Sequence, residues 1–368
     1  MKTPKSNRKK LQLVLVLLLT ALSFSCNSKP KDYVCTPCDL ECDALLFSEP
    51  GTCQHCNMAL IKKADLEKMS QTITSGDIQI NYEFLDNESL AKQAEFTAVV
   101  TESFVFYKDL FGGYPRDTFD ATYTDFTIKV SKTIDSGGEA DPKSIVLNWS
   151  DNTTLGYGSW KTVLMHELFH LWNGETIRYI NGEEHWFNEG FSEFYAFQTA
   201  VRMGIVSPEE MLTTSALSLG YYTGSKGLGN ISIRDAGIND KTKLDNFFLV
   251  YHGGWITAMV LDTDIRSRTN NEKSLDNLMK WLYAKFLRTD KLYNTDDIIN
   301  GIKITTGLDY TKFYNKYIYD TEVIPVSKYF DPGKALWDHK WNKKEMPKHE
   351  YYYRTLGIKK QNNNQNHE

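Results

Sequence analysis

The sequence predicts an α+β protein: a small mixed sheet followed by a helical half, with a small Cys-rich module in front. Three observations lead there. All of the cysteines lie before residue 57. The stretches FDATYTDFTIKV and SIVLNW, between residues 119 and 149, alternate apolar and polar residues as strands do. From Ser159 onward the apolar residues recur at helical spacing.

The chain has 368 residues, 41% of them hydrophobic, enough for one large domain or two smaller ones. A formal net charge of -5 offers no basic surface for nucleic acid, and no nucleic-acid-binding motif is visible. No nucleic-acid partner is therefore expected.

The N-terminus reads as a targeting segment. A basic run, KTPKSNRKK, precedes the apolar stretch LQLVLVLLLTALSF at residues 11–24, which is too short to span a bilayer comfortably. A signal peptide over 1–25 fits better than an anchor helix. Cys26 follows in LSFSC, which resembles a bacterial lipobox, with Ser23 where a leucine is usual. The resemblance implies lipidation of Cys26 and a short anchor linker over 26–32. Ordinary secretory cleavage nearby is the alternative.

Residues 33–62 form the Cys-rich module. Cys35 and Cys38 make one C-x2-C pair, Cys53 and Cys56 another, and Cys42 lies between them. Four thiolates so spaced can close a tetrahedral zinc site. Two disulfides with one cysteine left over are the competing reading in an oxidising compartment. The run YVCTPC…GTCQHCNMAL also resembles bacterial heavy-metal-binding modules, which implies a second zinc or another soft metal there. Met58 is either a soft ligand or a packing residue.

Further along, residues 64–81 read as a helical turn and a short strand. Residues 88–111 have helical spacing and stop at Gly112-Gly113. TIDSGGEADPK reads as a loop between the two strands. Ser159 is placed to cap WKTVLMHELFHLWN, and Gly174 to end it. HWFNEGFSEFYAFQTAVRM runs to Gly204, and Ser207-Pro208 opens another helix. Further helices are expected at 250–267, 275–287, 296–305 and about 309–318. The tail QNNNQNHE is disordered by composition.

The chemistry concentrates in HELFHLWNGETIRYINGEEHWFNEGFSEF, residues 166–194. His166 and His170, four apart on a helix, share a face and can point at one ion. Glu167 lies one step round, placed to handle a water rather than to ligate. Glu189, on the next helix, supplies the third ligand that a catalytic zinc site wants. The alternative is a helical hairpin that happens to contain histidines. Glu193, four residues beyond Glu189, either orients a ligating imidazole or is a solvated helix charge. His185 and His252 read as structural or surface residues.

HExxH followed after eighteen residues by Glu resembles the gluzincin peptidases, among them the aminopeptidase N and glycyl aminopeptidase families. The flanks HLWNGE and WFNEGFSEF are similar as well, and so are LVYHGGWITAMVLDTDIRSRTNNEKSLDNLMKWLY and TGLDYTKFYNKYIYDTEVIPVSKYF. The likeness runs over about residues 125–330. It implies a thermolysin-like zincin domain, here over 70–330, holding catalytic zinc and hydrolysing peptides with Glu167 as general base. It also implies that Tyr251, in YHGG, stabilises the developing oxyanion; a packed aromatic is the bland alternative. The families read the substrate amine with a glutamate in a Gly-rich edge-strand motif. Glu139, in Ser136-Gly137-Gly138-Glu139, stands one residue early for that role, and a loop charge is its other reading. Residues 331–368 are left as a C-terminal extension. The expectation is a lipid-anchored, extracytoplasmic metallopeptidase of the bacterial envelope, acting on peptide or protein substrates and touching the membrane through its N-terminal lipid. A non-catalytic, metal-handling lipoprotein with a peptidase-like binding domain is the alternative.

Overall fold

A computed structural model describes residues 30–35, 40–152, 159–180, 183–288 and 290–329. The expected signal segment, Cys26, Cys38 and the C-terminal extension lie outside the described residues. No helix among the described residues is long and apolar enough to cross a membrane. The chain forms two compact units, divided between Lys68 and Met69.

The first unit is small. Strand β1 (Tyr33–Cys35) lies between β2 (Leu46–Phe47) and β3 (Leu60–Lys62), antiparallel to both. Its centre is sulfur: Cys35, Cys42 and Cys53 are buried, with Phe47, Cys56, Met58 and Leu60 packed against them. Met58 therefore has a packing role, whatever else it does. So small a module has little other core.

The second unit opens with a five-stranded mixed sheet of β4 (Ser70–Ser75), β5 (Ile78–Phe84), β6 (Asp125–Lys132), β7 (Gly137–Asp141) and β8 (Ser144–Trp149), in the order β4-β5-β6-β8-β7. Ile128, Val130, Ile145 and Leu147 are fully buried. Their alternation along β6 and β8 puts one sheet face against the helices. The segment read as a loop between the strands contains β7, which runs antiparallel to β8 at the sheet edge. Glycines rarely announce a strand, but the register to β8 supplies the pairing that local propensity lacks. The first strand of the FDATYTDFTIKV run starts only at Asp125.

The helical half begins after the sheet. Its longest helices, with the one that precedes β6, are α1 (Gln93–Phe111), α2 (Trp160–His170), α3 (His185–Arg202), α4 (Pro208–Thr223), α5 (Phe247–Arg268), α6 (Leu275–Phe286) and α7 (Thr295–Thr306). Gly112 caps α1 with a left-handed backbone, φ +84°. Ser207 and Glu210 close a capping box on α4. Trp149, Trp172, Trp186 and Trp255 are all buried in this unit. Helices α3 and α5 cross where Gly190 meets Gly254: a Cβ on either would collide with the other helix's backbone. Only glycine permits so close a crossing, and it brings the residues of both helices to one cleft.

Candidate active site and metal centre

Helices α2 and α3 converge on one point. His166 Nε2 and His170 Nε2 lie 2.9 Å apart. Glu189 Oε2 stands 3.4 Å from the first and 3.5 Å from the second. All three donor atoms lie within 4.8 Å of one another. Two imidazole nitrogens and a carboxylate oxygen are the donor set that zinc accepts.

The outer nitrogens fix how these rings are held. His170 Nδ1 is 3.0 Å from the Asn173 carbonyl, an acceptor, so it carries the proton and donates there. His166 Nδ1 lies 2.8 Å from Glu193 Oε2, an acceptor of the same kind. Both Nε2 atoms face inward, toward each other and toward Glu189 Oε2, the orientation that ligating histidines show. Burial disfavours charge on His166, yet Glu189 and Glu193 hold its pKa well above the usual value. Burial also works against ionised Glu189, but His166, His170 and Lys243 hold its pKa well below the usual range. The residues fit a divalent ion.

These side chains line a cleft of about 570 Å³ together with Glu167, Gly138, Glu139, Glu175, Tyr179, Lys243, Phe247 and Tyr251. Glu167 sits on α2 between the histidines, and its carboxyl pKa is raised, mainly by burial. Gly138 on β7 is packed onto it: a Cβ there would stand 2.5 Å from Glu167 Cγ. Glu139 follows Gly138 on β7, at the edge of the cleft. Tyr251 enters from α5, stacked on Phe247 with ring centroids 4.1 Å apart. Its hydroxyl pKa is pushed up by burial and by Glu189, so it keeps its proton.

The two histidines outside the cluster have structural partners. His185 Nδ1 meets the Tyr179 hydroxyl at 3.2 Å. His252 is buried, hydrogen-bonded to Ser218 Oγ at 3.0 Å, with its pKa pushed down to about 3 by burial. The Gly253-Gly254 pair after it serves packing: Gly254 at the α3 crossing, Gly253 against Ile233.

Sequence reasoning missed Lys243. It comes from the short helix Asp240–Asp245, and its Nζ lies 2.6 Å from Glu189 Oε1. Nothing in its local sequence, DKTKLD, marks one lysine out from another.

In the first unit, Cys35, Cys42, Cys53 and Cys56 bring their sulfurs within 4.8 Å of one another. Cys35 Sγ and Cys56 Sγ are 3.1 Å apart. The C-x2-C spacing points to Cys38, which lies outside the described residues. Among the described residues the fourth thiol is Cys42, turned inward by a 3-10 turn over Glu41–Ala44. Spacing alone favoured the C-x2-C pairs and gave no weight to that turn. Four such thiols fit a tetrahedral metal site.

Residues 159–256 match the family model of the M61 glycyl aminopeptidases. A crystal structure of an aminopeptidase N family protein from Idiomarina loihiensis superposes with a TM-score of 0.60 at 17% identity, over 76% of this chain and 53% of that one. The second unit therefore shares its fold with that aminopeptidase N family protein. A mutant two-domain M1 zinc metallopeptidase bound to L-tryptophan matches more distantly, with a TM-score of 0.46 at 13% identity, over 69% of this chain and 52% of that one. The chain thus spans about half the length of these solved structures.

Proposed function

We propose that the chain is a zinc metallopeptidase that hydrolyses peptide bonds and acts as an aminopeptidase. The observation that carries this is the convergence of His166, His170 and Glu189, each imidazole oriented from behind, beside a buried Glu167 in an open cleft.

His166, His170 and Glu189 would hold the ion. Zinc so bound supplies a Lewis acid that polarises the carbonyl and acidifies water. The chain's own residues do the rest. The free edge of β7 lines the cleft and offers backbone groups to an extended peptide. Glu167, whose burial raises its proton affinity, takes a proton from the attacking water and delivers it to the leaving amine. Tyr251 retains its proton and donates a hydrogen bond as charge develops on the carbonyl oxygen.

The lipobox-like LSFSC supports a further element of this reading, that Cys26 carries a lipid and anchors the enzyme in the bacterial cell envelope, outside the cytoplasm. The Cys-rich unit would hold its own zinc or another soft metal through Cys35, Cys42, Cys53 and Cys56. A screen of aminoacyl and N-blocked peptide substrates, with and without a chelator, tests the activity. Chelator-sensitive cleavage of substrates with a free amine is expected. Cleavage of N-blocked substrates alone would remove the aminopeptidase assignment, and no chelator effect would remove the metal.

A further inference from the structure

The two oxygens of Glu189 have different partners. Oε2 faces the imidazoles, 3.4 Å from His166 and 3.5 Å from His170. Oε1 is held by the Lys243 ammonium at 2.6 Å. Both side chains are largely shielded, Lys243 at 21% and Glu189 at 10% accessibility, so the contact is a desolvated, charge-assisted hydrogen bond rather than a loose surface pair.

The lysine is presented deliberately by its backbone. Its helix, Asp240–Asp245, is capped by Asn239, whose side chain accepts from Thr242 N at 3.0 Å and from Thr242 Oγ1 at 2.9 Å. At the other end Asn246 Nδ2 donates to Thr242 O at 3.0 Å, and the chain passes straight into α5. Lys241 is spent on Asp245 at the surface, whereas Lys243 turns inward. Its Nζ also lies 5.5 Å from the centre of the Tyr251 ring. Lys243, Glu189 and Tyr251 thus form one packed group on the wall of the cleft.

We propose that Lys243 is a positioning residue that occupies Oε1 of Glu189 and so leaves the carboxylate a single oxygen, Oε2, for the ion. This rests on the metal-binding reading of the His166–His170–Glu189 cluster. A carboxylate is free to bind a metal through one oxygen or two. With the second oxygen engaged, the protein contributes three donor atoms and the remaining coordination positions stay open for water and substrate. The ammonium also draws electron density from the carboxylate, which weakens it as a donor and leaves the ion more electrophilic.

The test uses the full chain loaded with zinc, as wild type, Lys243→Met and Lys243→Arg. Crystal structures, with zinc located by its anomalous scattering, read the coordination without any substrate. Wild type should show Lys243 on Oε1 and Oε2 alone on zinc, whereas in Lys243→Met both oxygens should move onto the ion. In turnover, Lys243→Met should lose roughly 10- to 100-fold in kcat with little change in KM, and Lys243→Arg, which keeps the charge, should recover most of it. Zinc bound by both Glu189 oxygens in wild type, or Lys243 swung away from Glu189 once zinc is present, would overturn the assignment while leaving the metal site intact. So would Lys243→Met with one-oxygen coordination and unchanged kcat. Absence of zinc between the three ligands would overturn the metal reading itself, and this assignment with it.

Discussion

Gly138 and Glu167 meet across the cleft, edge strand against catalytic helix, with no room for even a methyl group between them. The strand that would hold a peptide substrate is thereby locked against the carboxylate proposed to work on it. Gly138→Ala should push Glu167 aside while leaving the ligands in place. We expect kcat to fall roughly 100-fold, as for other misplacements of about an ångström, with zinc content unchanged. Unaltered kinetics would show that Glu167 has freedom the packing does not suggest.

The α3–α5 crossing makes a stability prediction. Gly254 lies against the backbone at Trp186 and Gly190. A side chain there forces the helices apart, and overpacking of this kind costs about 1–3 kcal/mol or more. Gly254→Ala should lower the urea midpoint by a corresponding amount, and activity should fall with it because Glu189 and Tyr251 ride on the two helices. A midpoint equal to wild type would contradict the crossing as described.

Glu193 Oε2 stands 2.8 Å behind His166 Nδ1. Glu193→Gln keeps the size but removes the charge. Competition against a chelator should show zinc held about 10- to 100-fold less tightly. Wild-type affinity would return Glu193 to the status of a helix surface charge.

Glu184 supplies a pH signature outside the active site. Its carboxyl is buried, which raises its pKa from 4.5 to about 7, although hydrogen bonds from Thr295 oppose the rise. Between those two values the folded chain binds a proton that the unfolded chain has released. Wild-type stability should therefore fall as pH rises from 4.5 to about 7 and level off above, by about 1–3 kcal/mol from this group. Glu184→Gln should lack that component. Parallel stability curves for the two proteins across this range would refute it.

Much of this was legible in the sequence because the informative residues obey local geometry. His166 and His170 share a helix face by spacing alone, and Glu189 follows on a helix whose apolar pattern is plain. Helix ends at Gly112 and Ser207 follow from capping chemistry, while Ser159 marks a helix start without making the side-chain cap bond. What stayed hidden depends on tertiary contact. Strand β7 is glycine-rich and exists because β8 pairs with it. Lys243 is one lysine among several until the fold turns it onto Glu189. Cys42 looked like a spare because its inward turn is set by packing within the small unit.

The most direct test of the central claim is hydrolysis of a peptide substrate by zinc-loaded wild type and Glu167→Gln, with the metal of each counted in the same samples. The substitution keeps the shape and removes the base. We expect equal zinc at His166, His170 and Glu189 in both proteins, chelator-sensitive turnover in wild type, and a loss of roughly 10²- to 10⁴-fold in the variant. Glu167→Gln that turns over like wild type, or wild type that is indifferent to metal removal, would contradict the account.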